Sequence, residues 1–165
     1  MAANPEELTK TLSFTLNGQA ISAAEDETIL DVAKREGIDI PHLCYSERQG
    51  EAGNCRACMV EIDGERVLAA SCCRSPTENM IVKTDSERAV RSQKMILELL
   101  KADVSEQPHT LNSELDHWAG KLDVGLPRFV ARIQPKCDIS HPGIAVNMDA
   151  CIQCTRCVRA CRDEQ

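Results

Sequence analysis

Strict alternation of hydrophobic and polar residues near the start of the chain predicts a half-buried strand. Over residues 11–17, leucine and phenylalanine alternate with threonine and serine, so that the apolar side chains share one face. Asn17-Gly18 follows, and this dipeptide favours a type I′ hairpin turn because both central positions need a positive φ. We therefore expect a return strand over about residues 19–23.

Helical spacing replaces the alternation after this hairpin. Ile29, Val32 and Ala33 recur at i, i+3 and i+4, which predicts a helix with a cap near Asp26 and Gly37 just past its end. Alternation returns later in the chain. It predicts further strands over residues 58–62, 66–70 and 80–84, with Asp63-Gly64 as a hairpin turn between the first two.

The second half of the chain has two helical stretches. The longer one is predicted from Ser86, as its cap, to Lys101. A short amphipathic helix is predicted over residues 112–121, and we interpret its apolar stripe as packing; the stripe consists of Leu111, Leu115, Trp118 and Leu122. The remainder up to residue 147 is interrupted by prolines and is expected to form a packed connector.

Composition narrows the possible functions. In 165 residues, 26 acidic side chains outnumber 19 basic ones for a net charge of −7, and only four residues are aromatic. Nucleic-acid binding is therefore not expected, because it needs phosphate-neutralising charge and stacking rings. The first residues resemble no secretory signal, and no run of 18 apolar residues exists to span a membrane. We expect a cytoplasmic location.

Ten cysteines carry the candidate chemistry. The first group has the spacing C-x10-C-x2-C-x13-C and consists of Cys44, Cys55, Cys58 and Cys72. The second has the spacing C-x2-C-x2-C-x3-C and consists of Cys151, Cys154, Cys157 and Cys161. The second spacing is the half-motif of a two-cluster ferredoxin, and the first is similar to the loop of a [2Fe–2S] ferredoxin with a longer opening gap. Electron transfer is the leading hypothesis.

Clustered cysteines have two other common uses. A disulfide framework is disfavoured because the export signal is missing and disulfides are rare in a reducing cytosol. A zinc-stabilised interaction module is the stronger alternative, although structural zinc sites usually present paired knuckles rather than four cysteines within eleven residues. Neither a nucleophile–base pair nor a Gly-rich nucleotide loop is evident, so no catalytic residue is predicted.

Two stretches resemble a known protein family. GNCRAC and LAASC, within residues 43–73, resemble the [2Fe–2S] domain of the large iron–sulfur subunit of respiratory complex I and of NAD-linked hydrogenases. The tail over residues 141–165 is most similar to the alpha subunit of NAD-dependent molybdenum or tungsten formate dehydrogenases. The resemblance assigns the first four cysteines to [2Fe–2S] and the last four to [4Fe–4S] clusters, with Cys161 serving a different cluster from its three neighbours.

The fold expected from the elements and the resemblance is α+β. Residues 1–85 would form a β-grasp [2Fe–2S] ferredoxin-like domain, residues 86–146 a helical connector, and residues 147–165 the start of a two-cluster [4Fe–4S] module. The resemblance implies that electrons pass between a molybdopterin centre and a flavin subunit that binds FMN and reduces NAD. Expected partners are that flavin/NAD subunit and the remainder of the alpha subunit. The alternative within the family is the small subunit of an NAD-linked hydrogenase.

The chain departs from the family pattern in ways that generate further expectations. Many relatives bind another [4Fe–4S] cluster through one histidine and three cysteines after the long helix, but here that stretch has no cysteine. His109 and His117 are accordingly predicted to be surface or packing residues. The half-motif lacks its partner motif, which suggests the N-terminal part of a longer polypeptide. Among the remaining thiols, Cys73 and Cys137 are predicted not to be ligands.

Overall fold

A computed structural model describes residues 11–104, 113–146 and 148–164. Its strands are β1 (Thr11–Leu16), β2 (Gln19–Ala24), β3 (Met59–Ile62), β4 (Ala69–Ala70), β5 (Ile81–Lys83), β6 (Asp138–His141) and β7 (Ile144–Val146). Its helices are α1 (Ile29–Arg35), α2 (Glu87–Asp103), α3 (Glu114–Lys121) and α4 (Arg156–Glu164). None of the described helices is long and apolar enough to cross a membrane.

Five strands form one mixed sheet in the order β2-β1-β5-β3-β4. β1 pairs antiparallel with β2 and parallel with β5, while β3 lies antiparallel between β5 and β4. The parallel pairing of the first and last strands requires a crossover, and α1 lies in the chain between them. This topology confirms the mixed α+β, ferredoxin-like architecture expected for the first half of the chain.

The first hairpin matches the sequence pattern residue by residue. Asn17 and Gly18 both have positive φ, 49° and 83°, as a type I′ turn requires. The apolar face of β1 turns inward, where Phe14 and Leu16 are buried. They join the first hydrophobic core, which lies between the sheet and α1.

The cap of α1 lies at Thr28, and the prediction of Asp26 was wrong by two residues. Thr28 Oγ1 accepts a hydrogen bond from the backbone N–H of Asp31, and the Asp31 carboxylate accepts one from the N–H of Thr28. This reciprocal arrangement is a capping box, which satisfies two donors at the helix start. Because Asp26 has no acidic or amide residue three positions later to reciprocate, the box forms at Thr28 instead.

A second hydrophobic core lies against α2 and α3. It contains Leu97 from α2 and Leu115 and Trp118 from α3, packed on the loop that begins at Leu43. Ser86 caps α2 and Ser113 caps α3, each accepting a hydrogen bond from a backbone N–H three residues on. The predicted packing role of the α3 stripe is confirmed for the described residues; Leu111, its first member, lies outside them.

The connector contains a two-stranded hairpin that the sequence pattern did not predict. β6 and β7 pair antiparallel, and every residue of both strands is exposed. Because neither strand has a buried face, apolar and polar residues do not alternate regularly along them. The sequence pattern that predicts a half-buried strand is therefore absent. The connector is tied to α2 where Arg132 N–H donates to the carbonyl of Ala102 and Gln134 donates to that of Asp103.

Candidate metal centre

The first cysteine group lies at the boundary between the two hydrophobic cores. Cys58 and Cys72 belong to the core beneath the sheet, and Cys44 and Cys55 belong to the core beneath α2 and α3. All four are buried, with exposed fractions between 1% and 9%. The fold thus brings together four side chains separated by up to 28 positions in sequence, as their spacing predicted.

The sulfurs within this group are in direct contact. Cys58 Sγ lies 3.4 Å from Cys72 Sγ, too far for a disulfide, and all ten cysteines are free. Sulfur contacts also link Cys44 to both Cys55 and Cys72. The disulfide framework is therefore not seen. Within the described ranges, no group of three or more His, Cys, Asp or Glu side chains is arranged to hold a single metal ion.

Crowding of the four thiols splits their acidities. The pKa of Cys44 is lowered because the thiols of Cys55 and Cys72 donate to its sulfur. The pKa of Cys58 falls to about 7, chiefly through its contact with Cys72. The pKa values of Cys55 and Cys72 are raised, first by hydrogen bonds to the neighbouring sulfurs and then by burial, which disfavours a thiolate. Four buried thiols cannot all ionise together unless a cationic core is present among them.

The backbone of the loop adds donors to these sulfurs. Backbone N–H groups of Asn54 and Cys55 donate hydrogen bonds that lower the pKa of Cys44. The backbone N–H of Ala57 acts in the same way on the pKa of Cys55, and that of Cys72 on the pKa of Cys58. Such N–H donors stabilise thiolate sulfur and tune the potential of a bound cluster. The hydroxyl of Ser71 is fully buried beside Cys58, and its interaction with that sulfur helps to lower the pKa of Cys58.

This donor set fits an iron–sulfur core. Four thiolate sulfurs are the usual ligands of a [2Fe–2S] cluster, and the site also has backbone donors and the buried hydroxyl of Ser71. The interactions that dominate the acidity of these four thiols come from other cysteines, from Ser71 and from backbone N–H groups, which agrees with a sulfur-ligated core.

Cys73 lies beside the group but on its outer side. Its Sγ is 3.4 Å from Cys72 Sγ, yet the residue is exposed. A Cβ added to Gly53, which has a φ of +66°, would lie only 2.8 Å from Cys73 Sγ. Glycine at position 53 therefore allows the loop both its left-handed turn and its close approach to this thiol.

The second cysteine group lies next to the first. Cys154 and Ile152 pack against the core that contains Cys44 and Cys55. Cys151 and Cys154 are partly buried, whereas Cys157 and Cys161 are exposed on α4, one helical turn apart.

The loop of this second group has an unusual backbone. Gln153 and Thr155 both have positive φ, 57° and 61°, which non-glycine residues rarely adopt. Asn54 from the first cysteine loop supports the turn, because its side-chain amide donates to Gln153 O at 3.3 Å and Thr155 Oγ1 at 3.2 Å. Two left-handed residues in this short stretch are sparsely populated conformations, and the contacts from Asn54 help to hold them.

The remaining candidates lie away from both groups. His117 is exposed on α3 with its ring 5.3 Å from that of Trp118, in agreement with the predicted surface or packing role. Cys137 is exposed just before β6. His109 lies outside the described residues.

Sequence reasoning missed the polar residues that join the two cysteine loops, Gln49, Asn54 and Arg159. Gln49 Nε2 donates to the carbonyl of Arg156 at 3.1 Å, and Arg159 donates to four carbonyls of the first loop. The available signal was a pair of arginines among the cysteines of the tail, and it does not by itself indicate which loop they would contact.

Comparison with known proteins identifies the first half of the chain. Residues 9–87 match the family model described as a 2Fe-2S iron-sulfur cluster binding domain. This range contains the whole five-stranded sheet and all four cysteines of the first group. The match favours an iron–sulfur cluster over the zinc-stabilised module.

Relatives include subunits of two kinds of oxidoreductase. The chain is 37% identical to the NADP-reducing hydrogenase subunit HndD of Solidesulfovibrio fructosivorans, covering 93% of this chain and 28% of the relative. It is 31% identical to an NADH-quinone oxidoreductase subunit of Rickettsia bellii (strain RML369-C), covering 92% of this chain and 23% of the relative. The chain thus spans about a quarter of the length of these curated relatives.

A solved structure shares the fold across nearly the whole chain. The crystal structure of an NAD+-reducing [NiFe]-hydrogenase in the H2-reduced state superposes with a TM-score of 0.81 at 30% identity, covering 93% of this chain and 67% of the matched chain. Because 93% of this chain is covered, the similarity extends beyond residues 9–87. Through residues 9–87 the chain belongs to the 2Fe-2S iron-sulfur cluster binding domain family, and it is homologous to subunits of NAD-linked hydrogenases and of NADH-quinone oxidoreductase.

Proposed function

We propose that this chain transfers single electrons through a [2Fe–2S] cluster held by Cys44, Cys55, Cys58 and Cys72. The observation that carries the proposal is the convergence of these four buried, mutually contacting sulfurs inside a domain of the 2Fe-2S family. When bound, the cluster supplies one-electron redox chemistry. The chain supplies four thiolates, backbone donors to their sulfurs, and burial that excludes water.

The ligand assignment is tested by replacing cysteines one at a time. Protein purified without oxygen and reduced with dithionite should show a [2Fe–2S] paramagnetic signal. Cys55→Ser should abolish or strongly alter the signal, and the matched control Cys137→Ser, an exposed thiol in the connector, should leave it unchanged. A signal that survives Cys55→Ser unaltered would remove Cys55 from the ligand set.

We further propose that Cys151, Cys154, Cys157 and Cys161 serve two different [4Fe–4S] clusters. The left-handed residues Gln153 and Thr155 curve the loop between its cysteines, and the exposed Cys161 lies one helical turn beyond Cys157. In the two-cluster arrangement the fourth cysteine ligates the neighbouring cluster, whose other ligands would come from outside residues 1–165. Under this proposal residues 1–85, 86–146 and 147–165 are three functional segments.

For the parent enzyme we propose an NAD-linked oxidoreductase in the cytoplasm. The primary candidate is the formate dehydrogenase alpha subunit with a molybdopterin centre, and it is supported by the cysteine-free stretch after α2 and by the tail motif. Formate would be oxidised to carbon dioxide with release of a proton and two electrons. The electrons would pass singly through the clusters to an FMN-containing partner, where NAD+ would take up both electrons and a proton.

The second candidate is an NAD- or NADP-linked hydrogenase. It is favoured by the 37% identity to a hydrogenase subunit and by the superposition on a hydrogenase structure. An affinity-tagged copy in the native organism should co-purify the whole enzyme, and NAD+ reduction is then measured with formate or with hydrogen as the donor. Reduction with formate alone supports the first candidate, and reduction with hydrogen alone supports the second.

Exposed apolar side chains support a role within a larger assembly. Nine of the large hydrophobic residues exposed in the described part of the chain fall after α3, and they are Leu126, Phe129, Val130, Ile133, Ile139, Ile144, Val146, Met148 and Val158. Such concentration of apolar surface is typical of a protein interface. We propose that the flavin subunit or the remainder of the parent polypeptide covers this region.

A further inference from the structure

Arg159 connects the two cysteine groups directly. It lies on α4 between Cys157 and Cys161, yet it is only 8% exposed. Its Nη1 donates to the carbonyls of Gln49 at 3.0 Å and of Gly50 and Glu51 at 3.4 Å each, and its Nη2 donates to the carbonyl of Cys44. One side chain from the second group therefore fixes the loop between the first two ligands of the other group.

The charge of this guanidinium is not matched by a carboxylate within ion-pair distance among the described residues. The other arginines of α4 differ in this respect, since Arg156 pairs with Glu114 and Arg162 pairs with Asp163. Asp163 lies close enough to feel the charge of Arg159, but it bonds to Arg162. The Nε of Arg159 is also buried without a hydrogen-bond partner among the described residues.

A buried cation of this kind needs a compensating negative charge nearby, because desolvating it is costly. The carbonyl oxygens that it contacts supply part of the compensation. A [2Fe–2S] cluster with four thiolate ligands supplies the rest, since it is negatively charged and becomes more so by one electron on reduction. The contact with the Cys44 carbonyl places the guanidinium beside this charge.

We propose that Arg159 is a positioning residue that both fixes the cluster loop against the second cysteine group and raises the reduction potential of the [2Fe–2S] cluster. This inference rests on the proposed function of the four cysteines. A cation beside the cluster stabilises the reduced form more than the oxidised form, because the reduced form carries the additional negative charge. The same side chain holds the two groups in contact, which suits electron transfer between them.

The test is a redox titration of the full 165-residue chain, with the [2Fe–2S] signal followed by electron paramagnetic resonance. Three variants are compared with the unsubstituted chain. Arg159→Gln removes the charge, Arg159→Lys keeps the charge but not the planar guanidinium, and Arg162→Gln is an exposed control on the same helix. We expect Arg159→Gln to lower the equilibrium constant for reduction about tenfold, which is about 59 mV for one electron. Arg159→Lys should shift the potential by less than half as much, and Arg162→Gln should not shift it.

The outcomes separate this inference from the proposed function. Absence of a [2Fe–2S] signal in the parent chain would overturn the proposed function itself. A signal with the same potential in the parent and in Arg159→Gln would overturn only the inference. If Arg159→Gln loses the cluster, the test rests on Arg159→Lys. A reduction potential close to that of the unsubstituted chain supports the role of charge, and a tenfold lower equilibrium constant for reduction contradicts it.

Discussion

Two adjacent cysteines, Cys72 and Cys73, are separated by environment rather than by position. Cys72 is buried in the core beneath the sheet, whereas Cys73 is exposed beside Gly53, although their sulfurs are only 3.4 Å apart. The contacts of Cys72 extend to Cys44 and Cys58, while the Cys73 sulfur reaches only the edge of the group. Burial and these contacts favour Cys72 as the fourth ligand.

Serine replacement distinguishes the two thiols. Cys72→Ser is expected to destroy or strongly perturb the [2Fe–2S] signal, because serine oxygen is a poor substitute for a buried thiolate. Cys73→Ser should leave the signal and the iron content unchanged. The opposite pattern, a silent Cys72→Ser with a lost signal in Cys73→Ser, would show that the fourth ligand is misassigned.

Gly53 offers a test of the close packing around the same loop. Gly53→Ala should destabilise the loop and reduce cluster occupancy, because the new Cβ would meet Cys73 Sγ at 2.8 Å. The matched control is Gly50→Ala, which has nearly the same φ, +68°, but open space around its Cβ. The control should cost only the left-handed backbone penalty, about 1 kcal/mol by thermal denaturation. Equal losses in the two variants would contradict the steric account.

Among the elements, α1 links ordinary helix capping to the cluster loop. The Asp31 carboxylate accepts hydrogen bonds from Thr28 and, at 2.9 Å, from the hydroxyl of Tyr45, the residue after Cys44. These hydrogen bonds lower the pKa of Asp31, against the effect of burial. The start of the helix and the start of the cluster loop therefore share one carboxylate.

Removing the Thr28 cap should weaken both the start of α1 and the start of the cluster loop. Thr28→Ala is expected to cost about 1 kcal/mol of stability, since it deletes the hydrogen bond to the helix N-terminus. Tyr45→Phe serves as the matched variant that removes only the link to the loop. Thermal denaturation measures the first effect, and the rate of cluster loss in air compares the two variants with the parent. A Thr28→Ala protein as stable as the parent would contradict the capping account.

The ion pair between Glu98 of α2 and Arg128 of the connector should make that contact sensitive to acid. Hydrogen bonds from the Arg128 guanidinium and backbone lower the pKa of Glu98 from 4.5 to about 2. Since the folded pKa is depressed, the stabilisation is complete above about pH 4.5 and is lost as the pH falls towards 2. The difference in Tm between the parent and Glu98→Gln should thus be constant from about pH 7 to about pH 5 and shrink below about pH 4.5. Glu87→Gln, which removes an exposed pair, is the control; a difference that grows in acid would contradict the assignment.

Periodicity predicted the regular elements well where one face is buried. β1, β2, α2 and α3 all lie within a few residues of their predicted ranges, because their apolar spacing reports the core directly. The β6–β7 hairpin escaped prediction since both strands are exposed, and the cap of α1 was misplaced because reciprocal capping depends on a pair of residues. The cysteine spacing identified the candidate ligands, but not the contacts of Arg159, which depend on tertiary structure.

Over the whole molecule, the first cysteine group joins two packing units. One core fixes Cys58 and Cys72, and the other fixes Cys44 and Cys55, so the geometry of the site depends on how the sheet packs against α2 and α3. Hydrogen bonds of Asn54 and Arg159 connect the second cysteine group to the loop of the first group. This arrangement puts the two candidate cluster sites side by side, as serial electron transfer requires.

The exposed histidine of α3 gives an independent check on the number of clusters. No cysteine lies between Cys73 and Cys137 to share a cluster with His109 or His117. Double replacement of both histidines by alanine should leave the iron content per chain unchanged. A loss of about four iron atoms would reveal a further [4Fe–4S] cluster held in part by these histidines.

Iron analysis combined with spectroscopy of the 165-residue chain tests the central claim most directly. The four buried cysteines should hold one [2Fe–2S] cluster, while Cys151, Cys154, Cys157 and Cys161 lack the complementary motif within residues 1–165. Anaerobically purified protein should therefore contain about two iron atoms per chain and show a [2Fe–2S] signal when reduced. Protein that binds zinc in place of iron, or that shows a stable stoichiometric [4Fe–4S] signal and no [2Fe–2S] signal, would contradict the account.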